Sequence, residues 1–305
     1  MDSASRQRSS PVGSTRLLPE IASNPTLLQV SLFAIAVGGY SLLAVWKEDS
    51  SWRDYGDLPS DIHAALTVVL GWLLVFRTNA SYSRWWEART LWGRLVNISR
   101  NLAIKVADLV KAEPDDLNRF RIDIVAFAYG LKDHLRGQSR LQSLDGFEAC
   151  PDHPSHVPSY LITRMYGEFG SWLRKGRIDS GVLRVLDAEA REFLEICGGC
   201  ERISTTRLVR SYRAFARQCI WIYLITFPWG IVDHAGWWTV PLSALAAYFM
   251  IGLETVSEHV EQPFGHDTDD LDLDGLCDNI RITVQEVFDR RQSRTEEEAK
   301  AAQAD

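Results

Sequence analysis

The sequence predicts an all-α protein in which four transmembrane helices continue into a cytoplasmic helical bundle. Three observations predict this class: uncharged stretches of membrane-spanning length, basic residues beside the ends of those stretches, and apolar residues recurring every three or four positions between them. The average composition conceals this pattern. The chain of 305 residues has a formal charge of −7 and a mean hydropathy of −0.12, values that a soluble enzyme could also show.

Four uncharged stretches are candidates for membrane spans, at 27–46, 62–76, 219–232 and 235–253. A helix needs about 20 apolar residues to cross a hydrocarbon core of about 30 Å, so the first stretch is long enough. Two of the others lie near the lower limit for a span, and runs of that length also occur as buried helices in soluble cores. The charge distribution has to decide between these interpretations.

Basic residues lie beside the first three stretches, at the ends that would share one side of the membrane. They are Arg6, Arg8 and Arg16 before the first stretch, Arg77, Arg84, Arg89 and Arg94 after the second, and Arg207, Arg210, Arg213 and Arg217 before the third. The connection at 47–61 is instead acidic, with Glu48, Asp49, Asp54, Asp57 and Asp61. The positive-inside rule therefore places both termini and 77–218 in the cytoplasm of a multi-pass inner (plasma) membrane protein. The first span is expected to be retained, because no small-residue cleavage site follows it.

The chain divides by composition into six segments. These are an N-terminal cytoplasmic segment at 1–26, the first two membrane helices with the acidic outer loop at 27–76, a cytoplasmic helical region at 77–218, two further membrane helices at 219–253, a C-terminal cytoplasmic segment with an acidic run at 254–290, and a disordered tail at 291–305. Since 77–106 contains no proline, the second span is predicted to continue as one long helix out of the bilayer. A loop is predicted at 137–160, and a helix capped by Asp179 or Ser180 follows it.

The sequence FRTNASYSRWWEARTLWGRLVN, at 76–97, places tryptophans and arginines directly after the second apolar stretch. Trp and Arg at this position are typical of an interfacial anchoring belt. The same polar groups could equally form contacts between helices or subunits. The spacing alone does not separate these interpretations.

Three blocks of this sequence resemble the bacterial branch of the bestrophin family of membrane channels. They are 76–97, CGGCERISTT at 197–206, and EHVEQPFGHDTDDLDLDGLCDNI at 258–280, and their order and spacing match over most of the chain. The resemblance implies a homopentamer around a central pore that is lined by the second membrane helices. It also implies a passive channel, so no enzyme activity is expected.

The resemblance further implies two constrictions along the pore. The family's hydrophobic neck corresponds here to Val68, Trp72 and Phe76, which helical spacing places on one face. An apolar ring of this kind blocks ions by excluding water until it widens. The alternative is that these side chains pack against neighbouring helices. The cytoplasmic aperture corresponds to Gly181, or to Val182 if the alignment shifts by one residue, and Gly181 would make a wide exit.

A calcium clasp known from animal members corresponds to Gln262, Asp267 and Asp270. His259 stands where that clasp has an amide, and a histidine nitrogen is a poor ligand for a hard cation. The expectation is therefore a channel without a resident cofactor. An apparent EF-hand loop beginning at Asp270 fails at its twelfth position, which is Arg281 instead of a bidentate glutamate, so the acidic run is interpreted as solvated or helix-capping.

The CGGC sequence, from Cys197 to Cys200, has the spacing of a metal or redox motif. No second cysteine pair or histidine pair accompanies it in the sequence, so close helix packing at its two glycines is the preferred interpretation. His153 and His156 lie in the proline-rich loop and are interpreted as surface residues.

The predicted function is conduction of small anions such as chloride, as the family resemblance implies. A sodium channel of the same fold is the alternative, because some bacterial members prefer cations and the acidic outer loop would concentrate cations. A membrane-anchored sensor or enzyme is a further alternative, for which the sequence shows no polar constellation. The expected partners are further copies of the chain, membrane lipids and small inorganic ions, and no nucleic-acid signature is present.

Overall fold

The computed structural model describes residues 25–53, 59–207, 209–267 and 269–304. These residues form helices and turns and contain no strand, which confirms the all-α class. The helices are α1 (Pro25–Glu48), α2 (Ser60–Leu109), α3 (Pro114–Leu135), α4 (Val157–Arg174), α5 (Ser180–Thr205), α6 (Arg210–Ala235), α7 (Thr239–Val260) and α8 (Leu273–Ala304). Most of the N-terminal segment predicted at 1–26 lies outside the described residues.

The chain forms two compact units. The described part of the first unit covers 25–53, 59–79 and 209–258, and that of the second covers 80–207, 259–267 and 269–304. The divisions fall close to the ends of the apolar stretches in the sequence. Both α2 and α7 cross a division, so neither unit is a continuous piece of chain.

The first unit contains the apolar helices. Three segments are long and apolar enough to cross a membrane, namely Thr26–Glu48, Ser60–Leu109 and Arg210–Val260. The last segment comprises α6 and α7, which are separated by a 3-10 turn at Gly236–Trp238. Gly236 has a φ of 50°, a backbone conformation that favours glycine, so the chain changes direction there. The division into four spans stays a prediction.

Helix α2 is 50 residues long and includes the second apolar stretch together with the Trp and Arg sequence that follows it. The prediction that this span continues as one long helix is confirmed. The segment contains no proline, so its backbone hydrogen bonds are not interrupted. Pro114 then occupies the first turn of α3, where its missing N–H has no partner to lose.

The second unit has a large aromatic core. Its largest fully buried side chains are Trp92, Phe120, Phe127, Phe169, Trp172 and Phe193. The rings of Phe127 and Phe193 meet edge to face with centroids 4.9 Å apart, a favoured geometry for aromatic pairs. Asp179 is the N-cap of α5, because its side chain accepts the backbone N–H of Val182 at 2.8 Å. The predicted cap at Asp179 is confirmed, and Ser180 is the first helical residue.

Helix α8 corrects the prediction for the C-terminal tail. It extends to Ala304, so the disorder predicted for 291–305 is wrong over 291–304. Side-chain pairs at four-residue spacing support this helix, as between Gln292 and Glu296, and Arg294 pairs with Asp108. The acidic run caps the start of the same helix, because Asp272 accepts the N–H of Gly275 at 2.9 Å. The helix-capping interpretation of that run is confirmed.

Candidate pore-lining site

Helix α2 has one buried face within the first unit. Leu70 and Leu74 are buried in a core with residues of α6, including Tyr223 and Leu224. Thr67 extends this face with a hydrogen bond of 2.7 Å between its hydroxyl and that of Tyr223. The face therefore fixes the rotation of α2 about its own axis.

The predicted neck residues lie on the opposite face of α2. Val68, Trp72 and Phe76 are 61%, 64% and 59% exposed, and the rings of Trp72 and Phe76 have centroids 5.8 Å apart. Residues two apart on a helix point to nearly opposite sides, so the burial of Leu70 turns Val68 outwards. The structure thus aligns the three neck residues in one apolar row and leaves that row uncovered by the described part of the chain.

A buried ion pair follows this row directly. Arg77 has a fully buried side chain, and its Nε lies 3.0 Å from Glu254 Oε2 on α7. Arg217 of α6 extends the pair, with its Nε 3.7 Å from Glu254 and its Nη2 3.0 Å from Glu258. Glu254 is not predicted from the sequence, where its only signal is a carboxylate directly after the last apolar stretch. The pair ties α2 to α7 one residue after Phe76.

The rest of the Trp and Arg sequence lies in the second unit and divides between two roles. The Arg84 guanidinium donates to the carbonyl oxygens of Ile203, at 2.5 Å, and Thr206, so it caps the C-terminal end of α5. Trp92 is fully buried in the core. Trp86 is instead 57% exposed and stacks on Tyr82, as an interfacial side chain would. The contacts of Arg84 and Trp92 confirm a role in helix packing for part of this sequence, and the anchoring belt stays a prediction for Trp86.

The predicted aperture residues begin α5. Gly181 is exposed and Val182 is partly buried, and both lie in the first turn, where Asp179 caps the N–H of Val182. A Cβ atom at residue 181 would stand 3.1 Å from the Asp179 carboxylate. The role of this turn in a pore stays a prediction.

The residues of the predicted calcium clasp lie in one turn before α8. Asp270 Oδ2 accepts the backbone N–H of Asp267 at 2.7 Å, and burial raises the pKa of the Asp270 carboxyl. Gln262 is exposed. A hard cation needs several free oxygens directed at one point, and this arrangement commits one of them to a backbone amide. The expectation that this channel has no resident calcium stays a prediction.

The two cysteines of the CGGC sequence are buried in the second unit. Burial, with the adjacent Glu201 carboxylate, raises the pKa of the Cys197 thiol to about 12, and burial also raises the pKa of Cys200. Protonated thiols are poor nucleophiles, so the redox interpretation is not favoured. A Cβ at Gly199 would come within 2.9 Å of Leu91 on α2, which confirms close helix packing at this glycine.

The fold brings two histidines to Glu201, the residue directly after the CGGC sequence. Nε2 of His134 and Nε2 of His156 each lie 2.7 Å from Glu201 Oε1, so two histidines meet at the residue that follows Cys200. The two histidines belong to different helix ends, which no sequence spacing reveals. His156 is partly exposed and begins α4 as its N-cap, whereas His153 is an exposed loop residue in contact with Gln142.

Comparison with known proteins decides the family. The family model described as bacterial and fungal bestrophin protein matches residues 5–286. The chain belongs to the bestrophin family. This bestrophin is 33% identical over 266 residues to a protein of Mesorhizobium japonicum named as a voltage-dependent anion channel-forming protein, a match that covers 86% of this chain and 84% of the relative. A Synechocystis protein of the same name is 30% identical over 250 residues, covering 78% and 80% of the two chains.

A solved structure shows the same fold. The crystal structure of a variant of a bacterial bestrophin homologue from Klebsiella pneumoniae superposes on this bestrophin with a TM-score of 0.78 at 23% identity. The match covers 86% of this chain and 98% of the Klebsiella chain. Together with the three apolar segments, family membership makes this bestrophin a membrane protein.

Proposed function

We propose that this bestrophin is a homopentameric channel of the bacterial inner membrane that passively conducts small anions such as chloride. Each chain would cross the membrane four times and keep both termini in the cytoplasm. The curated relatives support the choice of anions, because they are named as anion channel-forming proteins. The proposal includes no catalytic role and no resident cofactor.

The exposed apolar row on α2 carries this proposal. Val68, Trp72 and Phe76 have their buried counterparts, Leu70 and Leu74, on the other side of the same helix. In a five-fold assembly this row would form three successive apolar rings, and a narrow ring of that kind excludes water and so gates ions. Lipid contacts are proposed for the other exposed apolar side chains of the first unit. Gly181 and Val182 are proposed for the cytoplasmic aperture.

The acidic outer loop gives weaker support to a sodium channel than its composition suggests. Glu48 is paired with Arg53, at 2.7 Å between Oε1 and Nε, and its Oε2 lies 3.8 Å from Lys47. Pairing reduces the attraction of this carboxylate for cations in solution. Asp54 and Asp57 lie outside the described residues. The names of the relatives favour anions, so sodium conduction is not the preferred proposal.

Reversal potentials test the selectivity. The purified protein is reconstituted in planar bilayers between potassium chloride solutions of unequal concentration, and the zero-current potential is measured. We expect reversal near the chloride equilibrium potential. Reversal at the potassium equilibrium potential would contradict the anion proposal.

The mass of the protein in detergent tests the assembly separately. One chain has a mass of 34.5 kDa. Light scattering that subtracts the detergent contribution should give five times this value. A monomer would contradict the pore, because the exposed row of a single chain would then face only lipid or detergent.

A further inference from the structure

Three side chains from three helix ends converge in the second unit. His134 lies in the last turn of α3, His156 is the N-cap of α4, and Glu201 lies in the last part of α5. Both Nε2 atoms lie 2.7 Å from Glu201 Oε1, and the two imidazole rings meet edge to face with centroids 4.6 Å apart. The three ligand atoms all lie within 4.8 Å of one another.

We propose that His134, His156 and Glu201 bind a divalent transition-metal ion, with zinc as the best match. Two imidazole nitrogens and one carboxylate form a donor set that zinc uses when it keeps a fourth position for water. The nitrogens select against calcium and magnesium, which require oxygen ligands. This inference does not depend on ion conduction or on the assembly of the pore.

The geometry is close to that of a bound site. Zinc–nitrogen bonds are about 2.0–2.1 Å long, so ligand atoms around a tetrahedral zinc ion lie about 3.3 Å apart. The present separations bracket this value, at 2.7 Å for each nitrogen to Oε1 and at most 4.8 Å overall. Side-chain shifts on the order of 1 Å would therefore admit the ion. The side chains are 24%, 33% and 35% exposed for His134, His156 and Glu201, so solvent reaches them.

Neutral His156 can bind a metal ion without losing its ring proton, because that proton can move from Nε2 to Nδ1. Its Nδ1 accepts the backbone N–H of Ser159 at 3.1 Å, so the ring proton is on Nε2. That N–H donates a hydrogen bond to Glu201. On metal binding this proton would pass to Nδ1, and the freed Nε2 lone pair would bind the ion. The Ser159 N–H loses its partner in that exchange. Ser159 is exposed, so water can replace the imidazole.

The charges around the cluster also favour a cation. In the described part of the chain, the ion-pair partners of Glu201 are the two histidines, and neither lysine nor arginine neutralises it. The Cys197 thiol lies against the same carboxylate, one helical turn before it. A bound ion would link α3 and α4 to α5, and it would restrict the conformations of the loop between His134 and His156.

Cobalt absorption tests this site on the full-length protein. The tag-free protein in detergent is stripped with a chelator and titrated with Co²⁺ alone. We expect visible bands of four- or five-coordinate cobalt at one ion per chain, and an apparent affinity at least about tenfold weaker in His134→Asn and in Glu201→Gln. His153→Asn is the matched control in the same loop and should bind Co²⁺ like the wild-type protein.

Thermal unfolding with zinc supplies a second readout that does not need the variants to be fully stable. Zn²⁺ should raise the Tm of the wild-type protein and of His153→Asn, because an ion that binds only the folded state stabilises it. The absence of cobalt bands and of a zinc-dependent Tm shift in the wild-type protein would overturn the proposal. It would also be overturned if Cys197→Ser abolished binding while His134→Asn did not, because the thiols would then hold the ion.

Discussion

Arg77 directly follows the predicted neck residues on α2 and has a fully buried guanidinium. The carboxylate of Glu254 is its ion-pair partner. Arg77 and Glu254 are 0% and 8% exposed in their side chains, so neither is solvated as an isolated ion. Removing one member of such a pair leaves an uncompensated buried charge, which typically costs about 3–5 kcal/mol. Replacing both with apolar residues of similar size is often neutral.

We therefore expect Arg77→Met to lower the free energy of unfolding by about 3–5 kcal/mol, and Arg77→Met/Glu254→Leu to recover most of that loss. Denaturant unfolding in detergent measures both. Arg217→Met is the matched control, since Arg217 is half exposed and exposed pairs contribute about 0–1 kcal/mol. Equal losses for Arg77→Met and Arg217→Met would show that the buried pair has no special role.

Asp123 makes the stability of the second unit depend on pH. It is buried on α3, and burial raises its pKa from 3.8 to about 6, against the opposing effect of Arg164, whose Nε lies 3.1 Å away. A carboxyl whose pKa is raised on folding stabilises the folded state while it is protonated. That contribution is complete below about pH 4 and is lost as the pH rises through about 6.

The Asp123→Asn variant should remove this dependence. We expect the free energy of unfolding of the wild-type protein to fall by about 2–3 kcal/mol more than that of Asp123→Asn between pH 4 and pH 7. Unfolding curves of both proteins at several pH values give the difference. Parallel pH profiles would show that Asp123 is not the responsible group.

Two adjacent glycines on α5 test how closely this helix packs against α2. A Cβ at Gly198 would meet nothing within 4 Å, whereas a Cβ at Gly199 would come within 2.9 Å of Leu91 Cδ1 on α2. Alanine is favoured over glycine in a helix by about 1 kcal/mol, and overpacking typically costs about 1–3 kcal/mol. Gly198→Ala should therefore stabilise the protein, and Gly199→Ala should be less stable than Gly198→Ala by at least about 1 kcal/mol. Equal effects in thermal unfolding would argue against close packing of α2 on α5.

Local features of the helices could be predicted from the sequence. The absence of proline predicts the continuous α2, and Asp179 before an apolar periodicity predicts the start of α5. The tail at 291–304 was mispredicted because its polar composition suggested disorder. Its alanines and its charged pairs at four-residue spacing instead favour a helix.

Contacts between distant positions could not be predicted in the same way. Glu201 is 67 residues from His134 and 45 from His156, and only the packing of three helices brings them together. Glu254 likewise meets Arg77 from another helix. The predicted neck residues came from the family resemblance, and their four-residue spacing places them on one face of a helix. The structure adds that the described part of the chain leaves this face uncovered.

In the whole molecule, the exposed row on α2 is proposed to line an ion pathway. Phe76 is the last member of that row. Leu66 is 40% exposed and lies about 120° around the helix from Trp72, the middle member of the row, so it serves as a matched control outside the row.

Single-channel recording of Phe76→Ala and Leu66→Ala in the same bilayers tests whether this row lines the pathway. Truncation of Phe76 widens an apolar ring and lowers its barrier to water and ions. We expect Phe76→Ala to raise the conductance or the open probability, and Leu66→Ala to leave both near the wild-type values. Currents of Phe76→Ala that match those of the wild-type protein would contradict the assignment of this row to the pore.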